Sequence, residues 1–214
     1  LILVDNTRRA LLEAARAWRG ICRARIIGIT GSCGKTTTKE MTASLCAAAG
    51  KVCSTSGNLN NDVGLPLSVL SMERDCDFGV FELGTNHPGE IQRLAEMLRP
   101  DFGIITGVGT AHIENFGSVD AIAVEKAALA SSIQAGGCLF LSLDNAHYDL
   151  MRSLSDVPVF TVSLKDNSAD YHGEILDLLQ GRILVTERCS RMSVELESGL
   201  PGDYNATNLL LAFA

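Results

Sequence analysis

Lys35 and Thr36 stand directly behind two closely spaced glycines in the run Arg25-Ile-Ile-Gly-Ile-Thr-Gly-Ser-Cys-Gly-Lys-Thr-Thr-Thr-Lys39. The chemistry this allows is a grip on a polyphosphate. A turn made of Gly31, Ser32, Cys33 and Gly34 can curl with its backbone N–H groups pointing inward. A helix opening near Lys35 adds the positive end of its dipole at the same place. Lys35 can then reach β- and γ-phosphates, the Thr36 hydroxyl can face Mg²⁺, and Thr37 completes the phosphate-binding set. The strict spacing G-x-x-x-x-G-K-[ST] would put glycine at Ile29, whereas Gly28 sits one residue early, so this is a variant of the motif. Residues 26–29 are apolar and mostly β-branched, as a buried parallel strand ahead of such a turn should be.

Further polar residues fall just after strand-like runs, where ligands sit in an open parallel sheet. Glu82 ends the run Asp77-Phe-Gly-Val-Phe-Glu-Leu, and a carboxylate there can hold Mg²⁺ directly or through water. The loop Gly84-Thr-Asn-His-Pro-Gly89 brings Asn86 and His87 to a helix start and suits substrate contact. His112 follows Gly107-Val-Gly-Thr-Ala behind another strand, at the edge expected to carry Lys35 and Glu82. Asn58, Asn60 and Asn61 lie in the amide-rich stretch 57–64, which reads as a turn and equally offers donors and acceptors to a polar ligand. Lys126, in a helical pattern beside Glu125, reads on its own as a surface lysine.

The elements that must position these residues alternate. Strand-like runs occupy 26–30, 51–55, 78–83, 102–106, 137–142 and 158–163, with helical patterns near 35–49, 89–98, 119–134 and 145–154. Such alternation specifies an α/β fold, a mostly parallel sheet with helices on both faces. Segments 171–178, 182–188 and 191–197 with a turn at Gly181 read as a small antiparallel extension. Residues 8–19 form a helical pattern that reads as a connector over 1–20, leaving 21–214 as the domain proper. The apolar run 206–214 resembles the first turns of a helix, so the chain reads as part of a longer protein.

The 214 residues are 46% hydrophobic with a net charge of −7, which supplies an ample core and argues against a nucleic-acid partner. No apolar run is long enough to span a membrane, and 1–4 is too short for a signal-peptide core. Seven scattered cysteines without C-x-x-C pairing read as reduced, cytoplasmic thiols and not a disulfide frame or zinc site.

Taken together, the motifs resemble those of the ATP-dependent Mur ligases of bacterial cell-wall synthesis. The segments that carry the resemblance are Thr30-Gly-Ser-Cys-Gly-Lys-Thr-Thr-Thr-Lys-Glu-Met41, Gly57-Asn-Leu-Asn-Asn-Asp-Val-Gly-Leu-Pro66, Phe81-Glu-Leu-Gly-Thr-Asn-His-Pro-Gly-Glu-Ile91 and Ala111-His-Ile-Glu-Asn-Phe-Gly-Ser118. The resemblance implies the central ATPase domain, P-loop NTPase-like in fold. It is set between an N-terminal UDP-substrate domain and a C-terminal dinucleotide-fold domain of the same polypeptide. N-L-N-N-D-x-G and E-L-G-x-N-H resemble the branch whose substrates are UDP-N-acetylmuramoyl-tripeptide and D-Ala-D-Ala, and they separate it from folylpolyglutamate synthases. ATP and a pair of Mg²⁺ ions are implied, Thr36 and Glu82 holding one ion, His112 and Lys126 a second. Lys126 is implied to carry a CO₂-derived carbamate. Tyr204-Asn-Ala-Thr-Asn208 resembles the motif leading to the third domain, with Asn205 matched to an adenine contact. Ser142-Leu-Asp-Asn145 resembles a nucleotide-facing turn with its first Asn replaced.

Overall fold

The computed structural model describes residues 2–214; Leu1, at the head of the short apolar start, lies outside them. At its centre is strand β1 (Arg25–Thr30), whose side chains alternate between two buried layers. Ile26 enters one apolar core while Ile27 and Ile29 enter the other. A strand covered on both faces needs this near-continuous apolar run. Around it lie β2 (Val52–Ser54), β3 (Phe78–Glu82), β4 (Phe102–Ile105), β5 (Cys138–Ser142) and β6 (Val159–Ser163), with β7 (Tyr171–Asp177), β8 (Arg182–Glu187) and β9 (Ser193–Glu197) completing one nine-stranded sheet. The order is β2-β3-β1-β4-β5-β6-β7-β8-β9. All pairs are parallel up to β6–β7, while β8 runs antiparallel to both β7 and β9. The extension thus continues the main sheet.

Helices α1 (Thr7–Ile21), α3 (Gly64–Leu70), α4 (Glu90–Leu98), α6 (Val119–Ala127) and α7 (Tyr148–Ser153) cover one face, where Phe81, Leu83, Leu139 and Leu141 meet Leu65, Ile91 and Ala123. On the other face α2 (Lys35–Ala47) and α8 (Asp203–Phe213) lie over Val80 and Ile104, with Leu209, Leu210 and Leu211 buried among the apolar contacts. Because β1 lies between β3 and β4, the loops leaving these three strands meet at one edge. That edge carries the site.

Several expectations are corrected. The helical pattern expected over 8–19 is α1, Thr7–Ile21, whose Ala15 is wholly buried and which packs on α3 and α4. The Trp18 indole N–H donates to Met72 O at 2.9 Å, and Arg19 Nε donates to Leu98 O at 3.0 Å. Trp18→Phe is expected to lower stability by about 1 kcal/mol in denaturant titration, the usual net value of one such bond.

The helix expected over 119–134 ends at Ala127 and gives way to a 3-10 turn, Ala130–Ser132. Helix α3 starts at Gly64, the last residue of the stretch 57–64 that reads as a turn, and its Pro66 lies in the first helical turn, where proline is tolerated. The short α5 (Ile113–Phe116), bounded by left-handed His112 and Gly117, also gave no periodic signal. Cys53 and Cys76 form a disulfide, against the expectation of seven free thiols. Strand β2 pairs beside the start of β3, which brings Cys53 next to the turn that precedes β3. The other five cysteines are free.

Candidate nucleotide and acceptor site

The phosphate loop links β1 to α2, and its form is set by its glycines. Gly34 caps α2 in a left-handed conformation (φ +83°), and a Cβ there would press on the Asn208 amide. A side chain on Gly31 would strike Thr106 Oγ1. Thr106 and the loop after β4 brace the turn: Ser32 N donates to Gly107 O at 2.8 Å and Gly109 N to Ser32 Oγ at 3.0 Å. The Thr106 hydroxyl also donates to Cys33 O. Lys35 is folded back on its own loop, with Nζ donating to Gly31 O at 2.9 Å. Thr37 lies in the first turn of α2 and Cys33 is exposed at the loop tip.

Glu82, at the end of β3, is 1% exposed and is shared by two elements. Thr36 Oγ1 donates to its Oε2 at 2.8 Å, and Asn60 Nδ2 donates to its Oε1 at 2.7 Å. Asn60 O in turn accepts from Gly84 N at 2.7 Å. One carboxylate thereby joins the phosphate loop, the amide-rich turn and the loop after β3. Asn61 has a local task, its Oδ1 accepting from Val63 N and Gly64 N to start α3. Asn58 is exposed, as are Asn86 and His87 in the loop after β3.

That loop is held by two acids that no local sequence pattern singles out. Glu90 Oε2 accepts from Asn86 N at 2.6 Å and His87 N at 3.1 Å. Burial pushes the Glu90 carboxyl upward, but these N–H groups and the Thr85 hydroxyl outweigh it and hold it below the ordinary carboxylate range. Glu125 accepts from Gly89 N at 2.7 Å and Ile91 N at 2.8 Å, satisfying donors at the start of α4. The only sequence signal for Glu125 was its position beside Lys126.

Lys126 is 3% exposed, so the reading of it as a surface lysine is wrong. Helix α6 packs between α4, α5 and α7, which buries this side chain. Its ammonium forms no ion pair or hydrogen bond among the described residues. Burial, and next the nearby Lys35 ammonium, lower its pKa from 10.5 to about 8, with Glu125 and Glu90 offsetting part of this. His112 follows the loop after β4, left-handed at φ +62°, with its ring exposed and bonded to none of these residues. The sheet brings Lys35, Thr36, Glu82, Asn60 and Lys126 together; His112 shares the edge without contact.

Beside the phosphate loop lies a cavity of about 320 Å³, walled by Gly34, Thr106, Gly107, Asn145, Tyr204 and Asn208 among others. Asn205, expected there, is not on its wall. Its Nδ2 donates to Pro201 O at 2.8 Å, so the amide is an internal tie, while Asn208 one turn later on α8 faces the cavity. Asp144 and Asn145 line the far side, and Asp144 is fixed by Ser163 Oγ at 2.7 Å and Leu164 N at 2.9 Å. The replaced first residue of that turn, Ser142, is also on the wall.

The Mur ligase middle domain matches residues 29–214, a range that includes this loop. The chain belongs to the Mur ligase family. Among Mur ligases, it is 33% identical to the UDP-N-acetylmuramoyl-tripeptide--D-alanyl-D-alanine ligase of Escherichia coli over 214 residues, all of this chain and 47% of that protein. The crystal structure of MurF from Acinetobacter baumannii superposes with a TM-score of 0.91 at 28% identity, over 99% of this chain and 47% of that one. A second structure from that organism, a UDP-N-acetylmuramoylalanyl-D-glutamyl-2,6-diaminopimelate--D-alanyl-D-alanyl ligase, gives a TM-score of 0.89 at 28% identity, over 100% and 47%. The chain spans about half the length of the curated relatives it matches. Among the described residues, no helix is long and apolar enough to cross a membrane.

Proposed function

We propose that this Mur ligase domain binds ATP and drives amide-bond formation between UDP-N-acetylmuramoyl-tripeptide and D-Ala-D-Ala, within a longer cytoplasmic enzyme of peptidoglycan synthesis. The observation that carries the reading is the Thr36–Glu82–Asn60 junction, which couples a phosphate loop to the amide-rich turn through one buried carboxylate. A carboxylate is too poor an electrophile for an amine. The acceptor carboxylate oxygen therefore attacks the γ-phosphorus and ADP leaves, giving an acyl phosphate. The amine of D-Ala-D-Ala then attacks the acyl carbon, the nitrogen loses its proton, and phosphate leaves. Catalysis of this kind is mostly positioning and charge neutralisation. Lys35 and the loop N–H groups hold the phosphates, Asn208 and Asn145 face the base cavity, and Asn58, Asn86 and His87 face the acceptor.

The oxygen donors of Thr36 and Glu82, 2.8 Å apart, fit Mg²⁺, which is commonly held by one or two protein oxygens plus phosphates. Among the described residues, no cluster of three or more His, Cys, Asp or Glu side chains suited to a metal occurs. Magnesium bound there would neutralise phosphate charge. His112 and carbamylated Lys126 would serve a second ion. Carbamate formation requires a neutral amine that attacks CO₂ and loses a proton, and the lowered pKa of Lys126 raises the fraction of that form, which becomes the main one above pH about 8. The decisive assay is phosphate release by the full-length enzyme. It should require ATP, UDP-N-acetylmuramoyl-tripeptide and D-Ala-D-Ala together; release with a folate and glutamate instead would overturn the reading.

A further inference from the structure

A second groove, of about 400 Å³, opens between the start of α1, the amide-rich turn and α4. Three guanidinium groups line it, Arg8, Arg9 and Arg93, although the chain as a whole carries −7. Its two carboxylates are already engaged. Asp62 pairs with Arg8 at 2.8 Å, and Glu90 holds the N–H groups of Asn86 and His87. The side chain of Arg9 has no hydrogen bond or ion pair among the described residues, and Arg93 Nε donates only to a carbonyl, Gly89 O at 3.3 Å. Leu12 and Leu94 add apolar walls to the groove. Two guanidiniums without carboxylate partners, over an apolar surface, suit an extended aliphatic chain that bears carboxylates.

The groove adjoins the loop 85–87 through Glu90, on the side assigned above to the acceptor. An acceptor ending in D-glutamyl-2,6-diaminopimelate carries two carboxylates that do not react: that of the glutamyl residue and the second one of diaminopimelate. We propose that Arg9 and Arg93 bind these non-reacting carboxylates of the acceptor peptide, and so hold its reacting carboxylate towards the phosphate loop. The proposal rests on the ligase reading given above.

The test uses full-length enzyme with Arg9→Ala, Arg93→Ala and the double variant, each assayed with the free-acid acceptor and with one amidated at the non-reacting carboxylates. For the parent enzyme the free acid should be preferred in kcat/KM by about tenfold or more. In the double variant, KM for the free acid should rise by about tenfold or more with KM for ATP unchanged, and the preference over the amide should vanish. An unchanged acceptor KM, or equal losses with both acceptors, would remove the arginines from this role while leaving the ligase reading intact. A parent enzyme that turns over neither acceptor would sink both.

Discussion

Lys35→Ala is expected to lower ATP-dependent phosphate release by the full-length enzyme by roughly 10³-fold, the scale lost when a preorganised charge at a reacting centre is removed. The fold should survive. Lys35 donates to two carbonyls of its own loop, Gly31 O and Ser32 O, while the loop is independently braced by Thr106, Gly107 and Gly109. The thermal midpoint should therefore stay close to that of the parent. Lys35→Arg should not restore turnover, since a planar fork does not replace a compact ammonium in so tight a turn. Near-normal phosphate release by Lys35→Ala would remove the residue from the phosphate grip.

Lys126→Met is expected to separate stability from activity in the opposite direction. In the uncarbamylated protein, a lysine whose pKa falls from 10.5 to about 8 on folding carries a burial penalty of about 3 kcal/mol at neutral pH. Below pH about 8 the amine is protonated in both folded and unfolded chains and the penalty is complete. Between about 8 and 10.5 the unfolded chain binds more protons, so stability rises with pH and the penalty fades. Methionine, similar in volume and uncharged, should raise the thermal midpoint at neutral pH in a CO₂-free buffer and flatten this rise. Turnover should nevertheless fall by roughly two orders of magnitude or more, on the scale of one lost electrostatic group. Full turnover by the Lys126→Met variant would dismiss the second-ion role, and an unchanged midpoint would dismiss the buried cation.

What could be read in the chain beforehand was whatever local pattern alone determines. β1, the glycine turn and α2 follow from a β-branched run, two glycines and an ensuing helical period, and the observed α2 begins at Lys35. Glu82 and Asn60 were visible as polar residues at loop positions, but their shared hydrogen bonds depend on β3 pairing beside β1, which no local pattern encodes. Burial of Lys126 was illegible for the same reason: on a short helix of mixed apolar and acidic residues its inward side is chosen by the neighbouring helices and not by periodicity. Asn205 and Asn208 are three residues apart on one helix, and composition cannot say which faces a cavity. The pairing of Cys53 with Cys76 needed the β2–β3 register.

The two oxygens of Glu82 answer to different masters, helix α2 through Thr36 and the amide-rich turn through Asn60. The carboxylate is therefore a shared axle between the glycine turn with its helix on one side and the amide-rich turn on the other. Any coupling between groups bound on its two sides is reciprocal in free energy, each changing the affinity of the other by the same factor.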